Sequence, residues 1–497
     1  MVAKLPTVFE EALSMTGFGK FNFLMLCVNI SLIMGMAFEI ISVAYLVPAS
    51  ACELDTTNFQ QGLMAGMPLL GIIATSHFWG YLADTKGRRK ILSVCMLLSF
   101  IFGSSAALST DWIVFSVLKF LSSSAVAGTY GLALTLLSEC TPQHRRATMV
   151  ALTSSIFLCS TGLMAIVSIP VLELKFVYYI STLNIQFNSW RLLSIVFAVP
   201  CALGAVAVYF AFESPRYLLS VGKEKQALEI LKKIYTINTG KSPEDYSVNS
   251  LVLGEETGKP MNGFFSSLVS QTIPLLKPPL LNNTVLISVL FIVVYFGFNP
   301  FMTWLPYIAD AIVKSINKGD KNLYFCDMMR SAQNETVTEI HDCSLNSFAM
   351  VTVFLISITI AGLNIFLSTI INFIGRKNML IGIQIVAGLA GICINFTSSW
   401  MLSATLLIIF MTGVLNFGFL STFSVEIFPT YVKAMAVCVT LMVGRGSSVL
   451  GINILKHLLV NDCELAFYSF GGLALAGGVI GFLLPGDPKT VKKDLEA

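Results

Sequence analysis

Gly80-Tyr81-Leu82-Ala83-Asp84-Thr85-Lys86-Gly87-Arg88-Arg89-Lys90 is a charged stretch set between two long apolar runs. A shorter echo, Asn372-Phe373-Ile374-Gly375-Arg376-Lys377, recurs 288 positions later, counted from Gly87 to Gly375. A second pair behaves alike: Glu139-Cys140-Thr141-Pro142 with Arg146-Ala147 is echoed by Glu426-Ile427-Phe428-Pro429 with Lys433-Ala434, 287 positions on. Two motifs displaced by nearly one interval indicate an internal duplication. In a chain this apolar, the repeated unit is half of a membrane protein.

Composition points the same way. Charged residues make up 12% of the 497, about half the ~25% of soluble domains. The mean hydropathy is +0.78, an excess suited to spans of ~20 residues and too large for a soluble core. Basic residues sit in short clusters beside apolar runs, not on one extended face, which excludes a nucleic-acid partner. Residues 1–20 are mixed and polar, and the first apolar run, Phe21 to Val47, is too long for a signal peptide and reads as a retained span.

Twelve spans are expected, at about 21–47, 59–83, 91–109, 112–138, 148–171, 190–211, 284–310, 346–371, 378–397, 400–424, 435–458 and 464–484. The fold class is therefore all-α, with a six-span bundle in 1–211, a linker in 212–283 and a second six-span bundle in 284–497. With the N-terminus inside, 22 of the 31 lysines and arginines fall on inner segments and six, Lys456 among them, on outer ones. That asymmetry places both termini in the cytoplasm. In the linker, apolar residues at 227, 228, 231, 234 and 235 form a helical stripe, either against the membrane face or on a solvated helix. Residues 239–263 read as flexible.

The outer gap 311–345 carries Cys326, Cys343 and the glycosylation triplet Asn334-Glu335-Thr336. A bond between the two cysteines, 17 apart, would contribute ~3 kcal/mol in the chain-entropy model; two unrelated thiols are the alternative. Neither a metal-ligand spacing nor a nucleophile–base set is evident, so no cofactor and no enzymatic activity are expected.

With twelve spans in two like halves and these loops, the chain resembles the major facilitator superfamily, whose loop between the second and third spans matches Gly80 to Lys90. There Gly80 would let helices approach, Gly87 would permit a tight turn, and Asp84 would face arginines or a helix N-terminus. In the second copy Asn372 replaces the acid, which implies an asymmetric gate. Phe212-Glu213-Ser214-Pro215-Arg216-Tyr217-Leu218 and Trp190-Arg191 resemble the sugar-porter and organic-ion branches. The resemblance implies that Glu139 bridges Arg88, Arg89 and Arg146, and that Glu426 bridges Arg376 and Lys433, with Glu213, Arg216 and Gly375 completing the gating set. The alternative is that these charges only fix loop geometry.

The hexose signatures of the seventh and tenth spans are missing, and only about ten residues, Ala49 to Asn58, follow the first span where organic-cation transporters carry a large domain. What remains resembles the synaptic vesicle glycoprotein 2 family: Thr16 to Phe21, Glu39, Leu46-Val47-Pro48-Ala49, Cys52-Glu53-Leu54 and Trp304-Leu305-Pro306 all fit. The outer loop is far shorter than in the named glycoproteins, so their partner binding does not carry over.

Glu39, Lys119 and Arg445 fall inside spans, where a charge costs ~2.5–3.5 kcal/mol and needs a cavity or a partner. Glu39 and Lys119 lie eight and seven residues from the outer ends of their spans, roughly 10–12 Å deep. In the resembled fold those spans line one cavity, so the two are expected to pair, either as a static ion pair or as a coupling site. Tyr295, Asn299, Trp304 and Asn416 are candidate pocket residues, with packing the alternative for each.

The expected function is secondary transport of small organic solutes, with protons as a coupling ion through Glu39, by a monomer in a plasma or vesicle membrane. A sugar or organic-cation carrier and a non-transporting, partner-binding membrane protein are the alternatives.

Overall fold

The computed structural model describes residues 7–253, 272–317, 319, 323–333, 346–428 and 433–485. Among them, twelve helices are long and apolar enough to cross a membrane. They are α1 (Lys20–Ser50), α2 (Asn58–Lys86), α3 (Arg88–Leu108), α4 (Trp112–Glu139), α5 (Gln143–Leu172), α6 (Ser189–Phe210), α7 (Leu280–Asn317), α8 (Ser347–Ile371), α9 (Arg376–Phe396), α10 (Trp400–Ser421), α11 (Met435–Asn461) and α12 (Cys463–Gly481). In hydrocarbon every backbone polar group must be satisfied within its own segment, which is why each apolar run becomes a helix.

Local chemistry sets the helix ends. At α2, Thr57 and Gln60 form a reciprocal capping box. At α4, the Asp111 carboxylate accepts from the backbone amides of Ile113 (2.8 Å) and Val114 (3.0 Å). One glycine turns α2 into α3, and one turns α8, whose helix runs on to Ile374, into α9: Gly87 at φ 99°, ψ 145° and Gly375 at φ 85°, ψ 147°. Side chains other than hydrogen are nearly excluded from that region. These two turns define one end of the molecule, the loop face; the opposite end is the distal face.

Small residues set helix spacing. A Cβ on Gly388 of α9 would lie 2.8 Å from the Leu475 amide nitrogen and 2.9 Å from the Gly471 carbonyl of α12, so the two backbones approach closely there. Gly80 behaves differently from expectation: a Cβ there would meet nothing within 4 Å, so it does not mediate helix approach.

Under the first six spans, the loop face carries a small cap. Thr7–Val8 pairs in parallel with Leu251–Val252. The linker stripe lies on the helix Glu224–Thr239, where Ala227, Leu231 and Ile234 are buried. They pack in one cluster with Phe9, Ala12 and Leu13 of the helix Phe9–Met15, so the stripe faces protein. Asn238 accepts from the Phe21 amide (3.0 Å) and donates to the Gly17 carbonyl (3.1 Å). The stretch expected to be flexible is structured through Leu253, with Tyr246 buried and its hydroxyl donating to Ala12 O at 2.7 Å.

On the distal face, Cys326 bonds Cys463 across 137 residues, which corrects the expected Cys326–Cys343 pairing. The reason is tertiary. The helix Phe325–Gln333 buries Phe325, Met328 and Met329, which sets Cys326 beside the start of α12. Arg330 and Glu464 seal the same junction at 2.6 Å. Cys343 and Asn334 lie outside the described residues. A second clamp joins the α1–α2 connection, the end of α3 and α6: Arg191, 1% exposed, holds Glu53 (2.6 Å) and the carbonyls of Ala107 and Ser109 (both 2.7 Å).

Candidate functional site

A cavity of about 240 Å³ lies mid-depth between the first six and the last six spans. Met36 and Ile40 of α1, Leu69 of α2, Tyr130 of α4 and Phe157 of α5 form one wall. Tyr295 and Asn299 of α7, Asn364 of α8, Phe417 of α10 and Arg445 of α11 form the other. On its distal side the two walls close on each other. A Cβ on Gly62 would sit 2.4 Å from Asn453 Oδ1, and one on Gly162 would sit 2.8 Å from Ser357 Cβ and 3.1 Å from the Phe354 backbone. Ser347 and Glu173 bond across the same seam at 2.6 Å.

Of the expected pocket residues, Tyr295, Asn299 and Arg445 line the cavity, and Glu39, Lys119, Trp304 and Asn416 do not. Lys119 Nζ meets Glu39 Oε1 at 2.7 Å with both side chains fully buried. Yet α1 turns Met36, Ile40 and Val43 toward the cavity, and Glu39 turns off that face toward α3, where a Cβ on Gly103 would sit 2.5 Å from Oε2. The pair thus lies inside the first six spans, not across the cavity. Asn416 is buried and donates to Gln384 Oε1 (2.5 Å), tying α10 to α9. Trp304 is buried and donates to the Ile452 carbonyl (3.1 Å), tying α7 to α11.

Lys456, at the outer end of the expected span 435–458, has surroundings that its sequence position does not show. Read as an outer-segment charge, it sits within α11 at 3% exposure, its ammonium 3.6 Å from the Tyr307 ring centre and 4.8 Å from that of Trp304. The aromatic faces supply the attraction a carboxylate would otherwise give. Tyr130, Ser154 and Asn364 were also missed, because a neutral polar residue in an apolar run carries little signal. Tyr130 and Ser154 hydroxyls lie 3.3 Å apart, and Asn364 donates to Ser155 at 3.3 Å, linking α8 to α5.

At the loop face the charged motifs form one network within the first six spans and their cap. Arg88 contacts Glu139 at 3.1 Å and Asp84 at 3.7 Å. Glu139 also accepts from the Ser214 hydroxyl. Glu213 caps α3, accepting from the backbone amides of Arg88 (3.0 Å) and Arg89 (3.1 Å), a carboxylate at the positive end of a helix. The three-cation grip expected on Glu139 reduces to Arg88. Arg89 turns to the Tyr209 carbonyl and ring. Arg146 and Arg216 both reach Glu10, at 3.0 and 3.9 Å, because the N-terminal helix brings a competing carboxylate to that corner. In the last six spans Lys377 donates to the Phe482 carbonyl at 2.8 Å, and Arg376 begins α9 directly after Gly375. The side chains of Asn372, Glu426 and Lys433 lie outside what the structure describes.

Twelve spans, paired glycine turns and a cavity between two sets of six define a polytopic membrane protein with the fold of the secondary transporters. The chain belongs to the Major Facilitator Superfamily, whose family model matches residues 27–320. Synaptic vesicle glycoprotein 2C of Mus musculus is 25% identical over 328 residues, 61% of this chain and 44% of that protein. Synaptic vesicle glycoprotein 2B of Homo sapiens is 24% identical over 344 residues, 63% and 49% of the two chains, so the match spans less than half of each of these relatives. Among solved structures, an inward-open xylose transporter XylE from E. coli superposes with a TM-score of 0.67 at 14% identity, covering 94% of this chain and 97% of that one.

Proposed function

We propose that this protein carries small organic solutes across its membrane by alternating access, the bundle in 1–211 rocking against the bundle in 284–497 with 212–283 as the link between them. The observation that carries the reading is the mid-depth cavity, walled by both sets of spans and closed on its distal side by glycine-lined seams. At Gly62 and Gly162 the halves meet with a side chain on one side only, which leaves those contacts shallow. By the distribution of lysine and arginine, the loop face and both termini are cytoplasmic. The Arg88–Glu139–Asp84 network, with Glu213 capping α3, then holds the cytoplasmic ends of α2, α3 and α4 together through the cycle, and Glu426, Arg376 and Lys433 act on the other side of the gate. Arg445, the one charged side chain among the described residues of the lining, favours organic ions over sugars. Proton coupling through Glu39 requires a state in which the Glu39–Lys119 pair opens toward the cavity.

Uptake into proteoliposomes of labelled organic anions, cations and sugars, with and without a pH gradient, tests the reading. Saturable uptake of at least one class supports it, and uniform leak-level flux refutes it. Orientation is tested separately. Asn334→Gln should remove a glycan seen as a mobility shift, and labelling of 311–345 only after permeabilisation would reverse the topology.

A further inference from the structure

Resting on that transport reading, we infer that the solute is an organic anion with a flat apolar body, and that Arg445 is the residue that receives its charge. Arg445 is the one charged side chain among the described residues lining the cavity, where no carboxylate faces it. It makes no ion pair or hydrogen bond among the described residues. Elsewhere the buried charges among the described residues are matched: Lys119 by Glu39, Arg191 by Glu53, Arg88 by Glu139, Lys456 by two aromatic rings. Arg445 is half-buried and faces the cavity without a carboxylate, and its fork fits a carboxylate or another oxyanion.

The surroundings of Arg445 set the rest of the ligand. A Cβ on Gly444 would fall 2.6 Å from Tyr295 Cδ2, so that ring lies directly on the α11 backbone next to the arginine. A Cβ on Gly446 would meet nothing within 4 Å, which leaves open space on the other side. Tyr295 stands edge-on to Phe417 at 5.8 Å, and across the cavity Tyr130 stands edge-on to Phe157 at 6.0 Å. Two aromatic pairs facing each other, with a single cation at one wall, select a planar apolar body carrying one negative charge. A polyanion would find no second cation, and an organic cation would meet Arg445 alone.

The test uses the full-length protein in proteoliposomes with labelled benzoate, phenylacetate and indole-3-acetate, their neutral amides, benzylamine and xylose. Wild type should take up the carboxylates and discriminate at least about tenfold against the amides, the loss expected when a charge-assisted hydrogen bond is removed. R445Q should abolish that discrimination, and R445K, which keeps the charge without the fork, should restore part of it. In parallel, the carboxylates but not the amides should raise the melting temperature of wild type, which reads the site even where a variant fails to fold. Carriage of benzylamine, xylose or the amides in preference to the carboxylates overturns the inference and leaves transport standing. So does carboxylate uptake unchanged in a monodisperse R445Q. Carboxylate-selective stabilisation that R445Q abolishes, without flux of any probe, upholds the anion site and overturns transport. Neither flux nor selective stabilisation overturns both.

Discussion

The Glu39–Lys119 pair allows the most quantitative test of the packing described above. At 2.7 Å, with both side chains fully buried, two unit charges attract by ~6 kcal/mol at an effective dielectric of about 20, and desolvation offsets much of that. Removing one partner leaves the other charged and buried, which typically costs ~3–5 kcal/mol. Glu39 Oε2, which has no hydrogen-bond partner among the described residues, gives the stranded carboxylate no compensation there. Glu39→Gln and Lys119→Met preserve volume, so each single variant should lose the pair without opening a void. At about 2 °C per kcal/mol, the low end for larger domains, each should melt ~6–10 °C below wild type in tryptophan-fluorescence unfolding. The double variant removes both charges and should recover most of that loss, a non-additivity of ~2 kcal/mol or more. Single effects that add to within ~0.5 kcal/mol would refute direct contact. The same double variant separates structure from coupling. Retained pH-dependent uptake marks a static pair, and loss of that dependence with downhill flux intact marks the coupling site.

Three further outcomes follow from the geometry. Gly87→Ala and Gly375→Ala should each destabilise the fold by ~1–3 kcal/mol, since φ is 99° and 85°, and a Cβ on Gly87 would also lie 2.5 Å from Glu213 Oε2; unchanged melting in both would contradict the turn assignment. Gly162→Val should wedge the distal seam against the Phe354 backbone, and a cysteine at Thr303 should then label faster with a membrane-impermeant maleimide added from the distal side; unchanged labelling would count against the seam as a gate. Non-reducing peptide mapping should recover Cys326 linked to Cys463, and a Cys326–Cys343 peptide as the main product would overturn the pairing.

The twelve spans were legible because hydrocarbon imposes a length and an apolarity on every crossing, and both are local properties of sequence. The single-glycine turns were legible for the same reason: Gly87 and Gly375 stand between apolar runs, each followed by basic residues. Helix rotation was not legible. Glu39 and Met36 lie within one turn of α1, and nothing in their spacing says which of them faces the cavity. Partners distant in sequence were equally hidden. Glu53 and Arg191, 138 residues apart, were both singled out as familial without any sign that they touch. Glu10 lay in a terminus read only as polar, so its claim on Arg146 and Arg216 went unseen. Cys326 was matched to its nearest loop cysteine because loop length is visible in sequence and the docking of Phe325–Gln333 is not.

That disulfide bears on how the protein is made. Cys326 emerges from the ribosome 137 residues before Cys463, an interval of roughly 7–27 s at about 5–20 residues per second. On the proposed orientation, in which the distal face meets an oxidising lumen, its thiol waits through the synthesis of α8 to α11 before its native partner exists. A pairing made with another thiol during that interval must be undone by thiol–disulfide exchange after the last span arrives. Chains truncated before α12, or substituted at Cys463, would then be retained as mixed disulfides with the oxidative folding machinery, a fate set by biosynthetic order and independent of any solute.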